Sequence, residues 1–184
     1  MVNVAALRND QTRSYTDGMA TFTVPAISLA QQAVRELTIA RERFNRSTHN
    51  LTDAMSGFAP GEETMSTAQQ VAHTARVIDW FIEGAFRSEG FDMDFEEQVK
   101  LVMAVDSLSA AREWFEKSMD NAIQILAAQS DVDLMALLAS GPVLGGMPRL
   151  GIVREIVDHT AHHRGALTVY ARMKGIAPLD PYGL

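Results

Sequence analysis

The stretch IVDHTAHHRGALTVYARMKGIAPLDPYG, residues 156–183, reads as the second half of a long helix followed by a tail. The helix is expected to begin near Leu150 and run to about Lys174, where Gly175 is placed as a C-cap and Pro178 prevents continuation. His159 and His163 stand four apart within it. On a helix that spacing sets two Cβ atoms about 5–6 Å apart on one face, so both imidazoles can reach one metal ion. His162 lies about 100° around the axis from His163 and belongs to a different face.

Three more long helical patterns precede this one, and almost nothing reads as a strand. From Pro25, which suits a first helical turn, residues Ile27, Ala30, Val34, Leu37 and Phe44 cover one face until about Asn50. A loop with Gly57, Pro60 and Gly61 follows. Ser66 and Gln69 form a capping box that starts a second helix, apolar through Val71, Ile78, Trp80, Phe81 and Ile82 and ending by Gly90. Residues 91–104 suggest a short helix, with Asp94 and Glu97 as a second capping signal. The third long helix runs from about Ser107 to Ala128, with Leu108, Ala111, Phe115, Met119, Ala122 and Leu126 along one stripe. Residues 139–151 form an apolar loop rich in Gly and Pro, expected to pack over something. The pattern is all-α, a four-helix bundle spanning 25–184. Residues 1–24 are expected to be an amino-terminal arm or tail, with TFTV at 21–24 as the one alternating run.

Composition removes several classes of function. A net charge of -7 with scattered arginines leaves no basic patch for nucleic acid. The absence of cysteine excludes disulfides and thiolate ligands, so any nucleophilic sulfur must arrive with a substrate. No apolar run approaches the roughly 18 residues needed to span a bilayer, and MVNVAALRND lacks the order of a secretory signal. The chain is expected to be cytoplasmic, without membrane or nucleic-acid partners.

His73 lies about two turns into the second helix, near the apolar stripe with Val77 and Trp80. Added to His159 and His163 it would complete a three-histidine set with open coordination positions, the mark of a catalytic rather than a closed site. Neutral imidazole suits Zn, Ni, Fe or Cu. Two histidines four apart also arise by chance, and a lone helical histidine is commonly hydrogen-bonded in a core. Spacing alone therefore leaves the metal and the structural readings open. His49, beside Asn50 at a helix end, reads as a capping or surface residue.

Residues 156–183 resemble the final helix and tail of the DinB/YfiT-like family, in His159, His163, Arg164, Gly165, Arg172, Gly175 and Pro178. Residues 64–81, TMSTAQQVAHTARVIDWF, resemble the family's second helix, with His73 at its histidine position. The family often carries Gln directly after the Arg-Gly pair, where this chain has Ala166. The resemblance, which spans about Pro25 to the carboxyl terminus, implies an up-down-down-up bundle, usually a homodimer. It also implies a divalent transition metal (Zn, Ni or Fe) on His73, His159 and His163. Similar proteins include S-transferases that use a low-molecular-weight thiol. In that reading the small electrophile would lie against loop 139–150 and Trp80, and Arg164 would either orient an acidic group on the thiol or make a structural contact. A hydrolase with Asp158 or Asp79 as base, and a dimeric stress-response or binding module with a structural metal, are the alternatives.

Overall fold

The computed structural model describes residues 12–17 and 20–183. Strands β1 (Thr12–Asp17) and β2 (Ala20–Pro25) pair antiparallel, Thr12 opposite Pro25 and Asp17 opposite Ala20. The alternating TFTV run falls in β2. Part of the expected arm is thus a hairpin, while residues 1–11 lie outside the described residues.

Six helices follow: α1 (Leu29–Thr48), α2 (Thr67–Phe86), α3 (Phe95–Met103), α4 (Leu108–Ala127), α5 (Asp131–Met135) and α6 (Gly151–Met173). Their starts are chemical. Reciprocal capping boxes, Ser28 with Gln31 and Ser66 with Gln69, satisfy the first free N–H groups of α1 and α2. Pro25 is therefore not in the first turn of α1, as expected, but ends β2 three residues before the true cap. Asp94 caps α3 through the N–H of Glu96, and Ser107 caps α4 through that of Ala110. The second helix ends at Phe86, short of Gly90. Helix α5 was not expected, although Ser130 and Asp133 form a capping box for it. Gly175, at φ 73°, terminates α6 in the left-handed conformation that glycine adopts without strain.

Hydrogen bonds fix the helix directions. Arg41 meets Asp120 at 2.6 Å, Asn45 meets Glu116, and Arg112 reaches the Thr48 carbonyl, so α1 and α4 run antiparallel. The Ser56 carbonyl accepts from the Ala68 N–H while its hydroxyl accepts from the Leu108 N–H, which places the starts of α2 and α4 side by side. Those two helices are parallel. Asn50, just past the end of α1, donates to the Ala177 carbonyl just past the end of α6, so α1 and α6 run the same way. The four long helices are up-down-down-up, as the resemblance implies. None of the described helices is long and apolar enough to cross a membrane.

Leu37, Phe44, Val71, Ile78, Phe115, Met119, Ile156 and Leu167 fill the core. The α4 stripe is buried along its whole length, as its period requires. Phe44 and Phe115 stack at 4.3 Å between ring centroids. Phe115→Ala is expected to lower stability by about 3–5 kcal/mol, the usual cost of emptying a buried aromatic site. Denaturant unfolding monitored by circular dichroism would measure it.

Candidate metal centre

Helix α6 runs antiparallel to α2, and the register is set by Tyr170. Its hydroxyl donates to the Met65 carbonyl at 3.0 Å and accepts from the Gln70 amide at 3.2 Å. That alignment brings His73 opposite His159 and His163. The Nε2 atoms of His73 and His159 lie 3.3 Å apart, and those of His159 and His163 lie 3.1 Å apart. One nitrogen from each of the three rings falls within 4.8 Å of the other two. Two nitrogens held about 2.0–2.1 Å from one ion at a tetrahedral angle stand about 3.3 Å apart. The donor set fits a single divalent transition metal, with room for further ligands.

Gln70, one turn before His73, completes the arrangement. Its amide oxygen accepts from the Nδ1–H of His163, which leaves the Nε2 lone pair of that ring directed into the cluster. Sequence reasoning missed this residue. The signal was its three-residue offset from His73, which places both on one face. The Nδ1 of His159 is buried and meets no partner among the described residues.

Burial also sets the protonation state. Desolvation, followed by the charges of the other imidazoles, pushes His159 down to about 4 and His163 down to about 3, and desolvation lowers His73 as well. All three rings are neutral at neutral pH, the form that ligates.

The cluster opens into a cavity of about 320 Å³ between α2 and α3. His73, Arg76 and Trp80 line one wall, and Phe95, Val99, Val102 and Met103 line the other. Trp80 ties the walls together. Its indole N–H donates to the Asp92 carbonyl, and its ring lies 4.9 Å from Phe91 and 5.8 Å from Phe95.

Trp80 is where the sequence placed it, but the expected apolar cover is not. Loop 139–150 is pinned near the start of α6 by an isolated bridge between Leu137 and Pro148 and by the bond from the Leu138 N–H to the Met147 carbonyl. Part of it lines a separate cavity with Gly84 and Phe91. Gly84 is eleven residues beyond His73 along α2, roughly 16 Å at the helical rise. The cover over the histidines is α3, which fills the same role with exposed and buried apolar residues of one short helix.

Of the two roles open to Arg164, its position fits the structural one. It lines a cleft with Ser47, Arg172 and Asp180 against the carboxyl-terminal tail, because adjacent helix positions diverge by about 100°. Asp158 is exposed on the outer face of α6. Asp79 faces α4, where it accepts from the Trp114 indole N–H at 2.8 Å and its pKa is raised by burial. Neither carboxylate lines the cavity. His162 is exposed and His49 caps the end of α1.

The profile of the DinB superfamily matches residues 36–167. No curated protein sequence matches the chain. Among solved structures, a DinB-like protein from Bacillus cereus ATCC 10987 is similar at 19% identity and a TM-score of 0.63, over 79% of this chain and 93% of that one. A conserved protein from Enterococcus faecalis matches at 19% identity and a TM-score of 0.57, over 80% of this chain and 98% of that one. YfiT from Bacillus subtilis, described as a probable metal-dependent hydrolase with an unusual four-helix bundle topology, matches at 14% identity and a TM-score of 0.60. That match covers 89% of this chain and 95% of YfiT. At these identities the likeness speaks for the fold.

Elemental analysis of the purified protein is expected to find about one ion per chain in the parent, given a single three-nitrogen site. His73→Ala, His159→Ala and His163→Ala should each lose it, and His162→Ala should keep it. Gln70→Ala is expected to weaken metal affinity about 10–100-fold, the usual effect of removing the group that orients a ligand. A further expectation concerns pH. The histidine pKa values are lower folded than unfolded, so unfolding takes up protons below the ordinary value of about 6.5. Stability of the metal-free protein is therefore full above that pH and declines as pH falls toward the folded values. Its melting temperature should drop between pH 7 and pH 5, and His163→Gln should flatten the drop.

Proposed function

The chain belongs to the DinB superfamily, and on that footing we propose that it is a metal-dependent enzyme acting on a small molecule, with thiol S-transfer as its reaction. His73, His159 and His163 hold the ion in this reading, which is Zn, Ni or Fe. The observation that carries it is a three-imidazole cluster at the end of an apolar cavity, with no Asp or Glu among the described residues that line it.

A bound divalent ion supplies the positive charge that makes a thiolate available near neutral pH. The chain's own residues do the rest. Burial keeps the three imidazoles neutral, and Gln70 holds the His163 ring in its donating orientation. The walls contributed by Trp80, Phe95 and Val99 exclude water from the electrophile and position it beside the sulfur. The thiol sulfur forms the new bond to the electrophilic carbon. The bond from that carbon to its leaving group (chloride in a chloroalkyl substrate) breaks with the electron pair going to the leaving group, and both that anion and the thiol proton leave to solvent.

Hydrolysis by the same ion asks for a base beside the open positions. Asp79 is committed to Trp114 and Asp158 is exposed to solvent, so the geometry favours transfer to sulfur over transfer to water. As part of the same reading the chain pairs with a second copy and works in the cytoplasm.

The metal-loaded protein is expected to consume an alkylating electrophile such as monochlorobimane only when a low-molecular-weight thiol is present, with the rate lost in His159→Ala. Turnover without thiol would replace the transferase with a hydrolase. Absence of any turnover, with a metal whose removal only lowers the melting temperature, would leave a binding module.

A further inference from the structure

Arg76 is the one residue lining the cavity that bears a formal charge at neutral pH, among the described residues. It sits on α2 one turn beyond His73, and Trp80 follows four residues later, so the three share one wall. Its side chain is only 13% exposed. A guanidinium taken that far out of water needs acceptors for its five N–H groups. It has few. Both terminal nitrogens reach the same oxygen of Glu83, each at 3.4 Å, and that carboxylate is 43% exposed. The Nε–H is buried and meets no acceptor among the described residues. Asp79, three residues along the same helix, adds charge nearby, but its hydrogen bond goes to Trp114 on α4.

A weakly paired cation in the wall of an apolar cavity is costly unless a ligand completes it. The geometry points to a substrate that is an apolar acid. A hydrocarbon or aromatic body would fill the space between Trp80, Phe95 and Val99, and a carboxylate would accept from the terminal N–H groups of Arg76, which Glu83 holds only at 3.4 Å. A planar carboxylate matches the guanidinium fork better than a spherical anion does. The cavity, at about 320 Å³, lies at the lower end of the roughly 300–1,000 Å³ of small-molecule sites. The inference rests on the reading that this cavity receives the substrate of the histidine centre. It makes Arg76 a specificity residue, one that chooses among apolar molecules by their charge.

The test is displacement of the neutral fluorescent probe N-phenyl-1-naphthylamine from the full chain by decanoate and by decanol, which share a body and differ in charge. Each protein is measured zinc-loaded and metal-free, with zinc content determined in the same samples. Decanoate is expected to displace the probe at about tenfold lower concentration than decanol, as a charged hydrogen bond in a buried site predicts. Arg76→Gln should remove that advantage by weakening decanoate alone, and Arg76→Lys should keep part of it. Circular dichroism melts confirm that each variant is folded. The advantage should persist without metal. Equal displacement by acid and alcohol in the parent overturns the inference, as does failure of both to displace the probe. An advantage that vanishes with the metal but survives Arg76→Gln also overturns it, because the ion would then be holding the carboxylate. Absence of zinc from the parent sinks the metalloenzyme reading instead, and leaves an acid preference of the metal-free protein standing.

Discussion

Ser56 joins the starts of two helices that would otherwise have no reason to run the same way. Its carbonyl accepts from the first turn of α2 and its hydroxyl from the first turn of α4. Each acceptor satisfies a backbone N–H that a helix start leaves free, so both helices are anchored to one residue at one end of the bundle. Parallel neighbours cannot be joined by a short turn. The chain must return along the full length of α2 before α4 can begin, and residues 87–107 make that return. Helix α3 lies on this crossover, laid along α2 and held there by Trp80. The cavity exists because the crossover exists. A simple up-down-up-down bundle would have a tight turn where this fold has the wall opposite His73.

Helix α6 then supplies the other half of the centre. Its direction against α2 follows from the bundle, but its register follows from Tyr170 and Gln70, which lock residues 65–70 to residues 163–170. A slip of one helical residue would turn His159 and His163 by about 100°, and the nitrogens would no longer meet. Below the ordinary histidine pKa the three rings also cost the metal-free protein stability, since none can take a proton without being desolvated beside the others. A bound cation reverses that disadvantage, so metal affinity and folding stability are linked at this site.

The legibility of these features in the sequence follows from how local each one is. His159 and His163 were visible because helical spacing alone decides that they share a face. His73 was visible through the Ser66 cap and its place near the apolar stripe with Val77 and Trp80. The position of α4 and its stripe were visible for the same reason. What escaped depends on contacts between distant segments. Gln70 matters because of His163, ninety-three residues away, and no period in the chain records that pairing. Loop 139–150 was expected over the site because it is apolar, yet apolarity says only that a loop is covered, not which cavity it borders. Arg164 entered through the resemblance of the segment that holds His163, with its role left open, and because neighbours on a helix point apart it faces the carboxyl-terminal tail instead. Helix α5, with five residues, offers too little periodicity to detect, even with its capping box.

Arg76 and Asp79 show how much chemistry a single turn of helix can redirect. They stand three residues apart on α2, both largely withdrawn from water, and either one would be a candidate beside a metal centre. Asp79 turns toward α4 and spends its hydrogen-bonding capacity on Trp114, which ties two helices together and removes a base from the cavity. Arg76 lines the cavity, reaches only Glu83 further along α2, and keeps its Nε–H without a partner among the described residues. The cavity consequently presents a cation and no carboxylate to whatever enters it. That polarity disfavours activation of water by a side-chain base, and it favours a negatively charged guest on an apolar body. In the proposed reading the same two residues therefore narrow both the reaction and the class of molecule it acts on.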